Sequence, residues 1–261
     1  MFIKRFLPSA GILSCSLLLC LSLLLCLLPA VSLGEPLPLG PDLTGTLSIP
    51  LREDADSPVY SYSFFYPQIE GTDPSAELIN RFYQDMADIA LDFDVPMMAD
   101  FYAGGEADKD IVVHISYQVT CNNDDYFSIL LKTEGNDYTT WAGNTFARLN
   151  TKAGSSVALP YLLGILSSDE SDSWLQDRQT ARADKLVRNL VWDTLQSKRD
   201  ELKVWPDYDR DLFDLTFYPE DDFYLDGTGN PVFYLQPGSA AEEESGLLLF
   251  PIPLADILDE L

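Results

Sequence analysis

The stretch YSYSFFYPQIEG, residues 60–71, alternates large aromatic and small polar side chains before it meets a proline and a glycine. Successive side chains of a strand point to opposite faces. Tyr60, Tyr62, Phe64 and Tyr66 therefore share one face, while Ser61 and Ser63 take the other. Four rings in a row on one side demand a partner layer, so this segment commits the chain to a sheet that packs against something apolar. Pro67 has no N–H for the ladder, so the strand ends there or lies at an edge. Glu70 reads as part of the strand-ending turn, with Gly71 giving the backbone its freedom, rather than as one half of a catalytic carboxylate pair.

The partner layer follows at once. DPSAELINRFYQDMADIALDF, residues 73–93, predicts a helix with Asp73 as N-cap and Pro74 at the first helical position. Leu78, Phe82, Met86, Ile89 and Phe93 recur at spacings of four and three and predict its apolar stripe. Glu77, Arg81 and Asp85 form a ladder opposite, which Asp88 and Asp92 extend. That acidic side is either a solvated helix face or a dock for a cationic partner.

Further along, TLSIPLRED predicts a strand, DIVVHISYQVTCNNDDYFSILLKTEG a hairpin, and TFARLNTKAGSSVALPYLLGIL a strand, a turn and an apolar close. A second helix is expected from about Ser173 to Arg199, with Ala183, Leu186, Val187, Leu190 and Thr194 on one side. Arg178, Arg182, Lys185, Arg188, Lys198 and Arg199 occupy its other faces. The two helices are opposite in sign, which allows them to attract each other or merely to alternate in composition. The C-terminal third reads as strand, turn at DGTGN, strand, acidic loop, strand and short helix. Strands joined by tight turns around two main helices give an α+β class with a largely antiparallel sheet in one compact unit.

Residues 1–34 read as a signal peptide or an N-terminal anchor. Lys4 and Arg5 precede an apolar run from Gly11 to Leu28, and PAVSLG offers small residues for cleavage after Ser32 or Gly34. The basic start places the remainder outside the cytoplasm, secreted or membrane-anchored. Residues 35–46, rich in Pro and Gly, are expected as an extended linker, and 47–261 as the folded domain. Cys15, Cys20 and Cys26 lie in the apolar run and in contexts that do not suit lipidation. Cys121 is then alone, without a disulfide partner. Sixteen Lys and Arg against 42 Asp and Glu give a net charge of −26. Such a field opposes nucleic-acid binding and suits a cationic partner.

No reactive centre is nominated. Phosphate-loop, dinucleotide, nucleophile-elbow and zinc-protease motifs are all missing from the sequence. His114 is the one histidine, mid-strand on the face of Val112 and Ser116 and opposite Ile111, Val113 and Ile115. Its face is expected to be the wetter one, and without partners in sight His114 reads as a strand residue. Asp221 with Asp222, or Glu242 to Glu244, are carboxylate pairs of the kind a glycosidase uses, but 42 acids make adjacency common. Asp207, Asp209 and Asp211 start like a calcium loop, yet Leu212 stands where that loop needs glycine and Tyr218 where it needs glutamate. Neither a cofactor nor a metal is expected.

In order along the chain, YSYSFFYPQIEG with ELINRFYQDMADIA, then FARLNTKAGSSVALPYLLG, then DFYLDGTGNPVFYLQPGSAAEEESGLLLFPIPLADIL, the sequence resembles an exported domain. It is the domain shared by RsiV-type anti-sigma factors and the non-catalytic part of PdaC-type peptidoglycan deacetylases, known as domain of unknown function 3298. The resemblance implies an α+β module outside the membrane that works by binding; in the anti-sigma members the ligand is lysozyme, a basic protein. The expectation is of this domain alone, without the cytoplasmic anti-sigma region or the deacetylase. The function it suggests is a non-enzymatic binding module of the bacterial cell envelope. The partner would be a cationic protein or an envelope component, with a membrane tether if the leader stays. The alternative is a carboxylate-dependent peptidoglycan-modifying enzyme.

Overall fold

The computed structural model describes residues 35–54, 56–105, 107–148, 156–165 and 173–261. The leader and its expected cleavage region lie outside the described residues, as do 149–155, where the sequence predicts a turn, and 166–172. Strands β1 (Leu43–Pro50) and β2 (Val59–Tyr66) form an antiparallel pair. The chain then crosses over through α1 (Pro74–Ile89), a π-helical turn (Ala90–Asp94) and α2 (Val95–Gly104). It returns as β3 (Ile111–Asn122), which runs parallel to β2. β4 (Tyr126–Glu134) and β5 (Thr139–Ala147) complete a five-stranded sheet in the order β1-β2-β3-β4-β5. After the short α3 (Leu159–Leu162) come α4 (Ser173–Ser197) and α5 (Arg210–Thr216). A second, three-stranded antiparallel sheet of β6 (Phe223–Leu225), β7 (Pro231–Leu235) and β8 (Leu248–Pro251) precedes α6 (Leu254–Glu260). The class is α+β with one parallel pair in a mostly antiparallel arrangement.

Tyr60, Tyr62, Phe64 and Tyr66 are all buried, as the alternation requires. Phe64 and Tyr66 stack at 4.9 Å between centroids, and Tyr66 stacks on Tyr83 of α1 at 5.4 Å. Asp73 caps α1 by accepting from the Ser75 N–H at 2.8 Å. The buried row of α1, however, is Ala76, Ile79, Tyr83 and Ala87, continued by Ala90. Leu78, Phe82 and Met86 are only half-buried on its flank, and Ile89 and Phe93 are exposed. Three alanines let the helix approach the aromatic strand closely, so small residues rather than large ones define the inner face. Nor does the helix stop near residue 93. The Val95 N–H reaches five residues back to the Ala90 carbonyl, and Pro96, which has no N–H, follows in the first turn of α2. In α4 the same displacement recurs: Ala183, Val187, Val191 and Leu195 are fully buried, while Leu186, Leu190 and Thr194 flank them.

The expected linker is not free. Leu37 is buried, and its backbone N–H and carbonyl both bond the Asn122 side chain, at 2.7 and 3.0 Å. Leu39 bridges Ile69, and β1 already begins at Leu43. Arg148 fastens the same end, donating to the Glu35 carbonyl at 3.0 Å and to Asp73 Oδ2 at 3.1 Å.

α1 and α2 cover one face of the large sheet, and β6–β8, α4, α5 and α6 build a second core around Phe213, Phe217, Phe233 and Phe250. The two cores meet where β6 crosses β4 and β5. Ser128 Oγ lies 2.9 Å from Thr145 Oγ1 and accepts the Leu225 N–H at 3.1 Å. The Gly143 N–H donates to the Tyr234 hydroxyl at 3.0 Å. Gln236 bonds both the N–H and the carbonyl of Trp141, at 3.0 and 2.8 Å. A Cβ at Gly143 would lie 1.8 Å from the Phe223 carbonyl oxygen. Gly143→Ala is therefore expected to cost about 3 kcal/mol in urea unfolding, since a backbone atom cannot step aside. Gly104→Ala, where an added Cβ meets nothing within 4 Å, is expected to be neutral or to stabilise by up to ~1 kcal/mol.

Candidate functional site

The face of the large sheet turned away from α1 and α2 is covered by β6 only at one end. Strand register lines up the rest in rows. Thr46, Ser63, His114, Glu134 and Thr139 form one row; Phe65, Lys132 and Trp141 lie with Thr44 and Ser116 in the next. Ser48, Ser61 and Val112 continue the surface. Thr44, Thr46, Ser48, Phe65, Val112 and Gln118 are exposed on it. The expectation that His114 lies on the wetter side of its strand with Val112 and Ser116 holds.

What the sequence did not supply is the company His114 keeps. Ser63 Oγ stands 2.9 Å from His114 Nδ1, a contact made by the parallel pairing of strands 51 residues apart. Phe65 meets the imidazole edge-on at 5.5 Å. A hydroxyl on an imidazole is the nucleophile–base pair of a dyad, which a third group orients where it serves catalysis. Glu134, directly across from His114, gives its carboxylate to Lys132 Nζ at 2.5 Å instead. Lys132 in turn lies over the Trp141 ring at 5.6 Å. The result is a polar surface of hydroxyls, one imidazole, one ion pair and two aromatic rings. Alternation alone set Ser61, Ser63 and His114 off their buried faces; Phe65, Lys132, Glu134 and Trp141 were not singled out.

The carboxylates named from the sequence do not converge. Glu70 is exposed, and its N–H bonds the Pro38 carbonyl at 2.7 Å, with Gly71 at φ +97° beside it. That is the turn reading. A groove of about 380 Å³ opens next to it, lined by Ile69, Thr72, Asp73 and Asn80. Asp209 caps α5 through the Leu212 N–H at 3.0 Å, while Asp207 and Asp211 point to solvent. Glu242 accepts from Trp205 Nε1 at 3.2 Å, and Glu243 and Glu244 are exposed in a 3-10 turn. Cys121 is buried, and burial pushes its thiol up to about 11. Among the described residues, no group of three or more His, Cys, Asp or Glu is placed to hold a metal ion.

Arg188 of α4 and Arg199 just beyond it serve the second core. Arg188 pairs with Asp184 at 2.9 Å and donates to the Phe217 carbonyl at 2.5 Å. Arg199 donates to the carbonyls of Trp205 and Tyr208.

No protein-family model matches the chain, and no curated protein does. Solved structures do resemble it. One is a DUF3298 family member from Bacteroides fragilis, 12% identical, covering 86% of this chain and 94% of its own, with a TM-score of 0.48. Another is a DUF3298 family protein from Pseudomonas aeruginosa, 14% identical, covering 87% of this chain and 95% of its own, also with a TM-score of 0.48. Both neighbours are DUF3298 family proteins.

Of the carboxylate pairs, only Asp221–Asp222 shows a perturbed group. Burial pushes the Asp222 carboxyl up to about 6, against the Tyr218 N–H that donates to it at 2.7 Å, and the Asp221 charge adds to the rise. The folded chain thus holds this proton more tightly than the unfolded one. Its stabilising contribution is complete below the ordinary value of 3.8 and is lost as the pH rises through about 6. Asp222→Asn is expected to change stability little at pH 4 and to raise it by about 1–2 kcal/mol at pH 7, read from urea unfolding at the two pH values.

Proposed function

We propose that this chain is an exported, non-enzymatic binding module of the bacterial cell envelope. The observation that carries the reading is the open sheet face. Rows of Ser and Thr hydroxyls surround His114, Lys132 and Glu134, with Phe65 and Trp141 within the same rows. Such a face offers stacking and hydrogen bonds without a closed cleft, which suits holding an extended or flat ligand more than transforming it. The apolar leader with its basic start supports export, either released or tethered through that segment. The net charge of −26 supports a partner that is not itself anionic: an envelope component on the sheet face, or a cationic protein.

The second reading, a carboxylate-dependent peptidoglycan-modifying enzyme, is favoured by one observation, the raised carboxyl of Asp222 beside Asp221. Asp222 Oδ2 is engaged with the Tyr218 N–H, which is the role of a turn cap.

Sedimentation with purified envelope fractions separates the two. The binding reading expects saturable retention that falls about tenfold on Trp141→Ala with Phe65→Ala, at unchanged thermal unfolding, as loss of stacking rings does elsewhere. Release of soluble fragments from peptidoglycan, abolished by Asp222→Asn, would replace it with the enzymatic reading. Failure of every fraction to retain the protein would remove the sheet face from consideration.

A further inference from the structure

The strongest exposed apolar feature lies on the other side of the molecule. Ile89, Phe93, Met97 and Phe101 are 53%, 69%, 62% and 70% exposed. They follow one another at spacings of four along α1, the π turn and α2, and so form a single ridge. The core has no use for them, because Ala87, Ala90, Val95 and Ala99 are the residues buried from the same helices. One position earlier in each turn come Asp88, Asp92, Pro96 and Asp100, and Asp85 and Asp94 lie close by. Asp85, Asp88, Asp92, Asp94 and Asp100 are all exposed. Between Arg81 and Lys109 the sequence has no basic residue at all. Among the described residues no Lys or Arg pairs with any of these five carboxylates.

We propose that the ridge Ile89–Phe93–Met97–Phe101 is a docking surface for a basic amphipathic helix of a partner protein. A ridge of large side chains at four-residue spacing fits the groove between equivalent rows of another helix. The charge decides among occupants. A second copy docking ridge to ridge would bring two rows of aspartates together, and an anionic bilayer would be repelled by the same row. A helix with leucines on one side and Lys or Arg beside them satisfies both the ridge and the carboxylates. This surface is separate from the open sheet face, so its fate is independent of the ligand proposed there.

The test uses the full chain and a labelled 18-residue peptide with a leucine stripe flanked by lysines, beside the same peptide with glutamates for lysines. Binding is read by fluorescence anisotropy at low and high salt. The proposal expects saturable binding of the lysine peptide alone. Phe93→Ser with Phe101→Ser, both exposed and therefore harmless to the fold, should weaken it by about tenfold or more. Asp88→Asn with Asp92→Asn should weaken it several-fold and flatten the salt dependence. Trp141→Ala should leave it unchanged. Binding indifferent to the ridge substitutions, equal binding of both peptides, or no binding overturns the proposal. So does ridge-dependent dimerisation in sedimentation velocity, or ridge-dependent capture by phosphatidylglycerol vesicles.

Discussion

Everything else in this fold hangs on the place where the small sheet meets the large one. Ser128 Oγ, fully buried, takes the Leu225 N–H on one side and bonds Thr145 on the other. Next to it the chain has a glycine at 143, and the Phe223 carbonyl occupies the space any side chain there would fill. A buried N–H without a partner would cost about 1–3 kcal/mol, so the junction works only with both the hydroxyl and the missing Cβ. Gln236 then extends the contact by bonding both backbone groups of Trp141 on the outer edge of β5. Two aromatic cores that would otherwise be neighbours in sequence only are thereby closed into one body.

That junction also decides what remains available for recognition. By covering the Ser128, Thr145 and Gly143 end of the sheet, β6 leaves the His114 rows open. The Gln236 and Tyr234 side chains, by bonding the outward backbone groups of Trp141 and Gly143, protect the edge of β5, a strand that carries no charge to defend itself. On the opposite face the alanines of α1 set the helix close to the aromatic strand and turn the large residues Ile89 and Phe93 outwards. The two exposed surfaces are thus consequences of how the interior is packed. They differ in chemistry: hydroxyls and stacking rings on the sheet, an apolar ridge beside aspartates on the helix.

Local features were legible in the sequence. The period-two run of Tyr60 to Tyr66, the Asp73 cap, the hairpin around NNDD and the DGTGN turn each follow from neighbouring residues, and each is found. The inner face of α1 was not, because a pattern of large apolar residues points to Leu78 and Phe82, whereas close packing on tyrosines selects Ala76, Ile79 and Ala87. The π turn then shifts the helical phase before Pro96. For the segment before β1, Pro and Gly suggest an extended linker, and its anchoring has no local signal, because the Asn122 side chain that holds Leu37 is 85 residues away. The Ser63–His114 contact likewise depends on a parallel crossover whose register no local pattern specifies.

If the junction truly makes one cooperative body, native-state hydrogen exchange will show it most directly. The buried amides of β2 in the first core and of β7 in the second should open with the same free energy and the same dependence on denaturant. Exchange from β6–β8 at a clearly lower free energy, with β2–β4 still protected, would mean that the small sheet unfolds by itself. The Ser128–Leu225 contact would then be a surface of convenience between two independent parts.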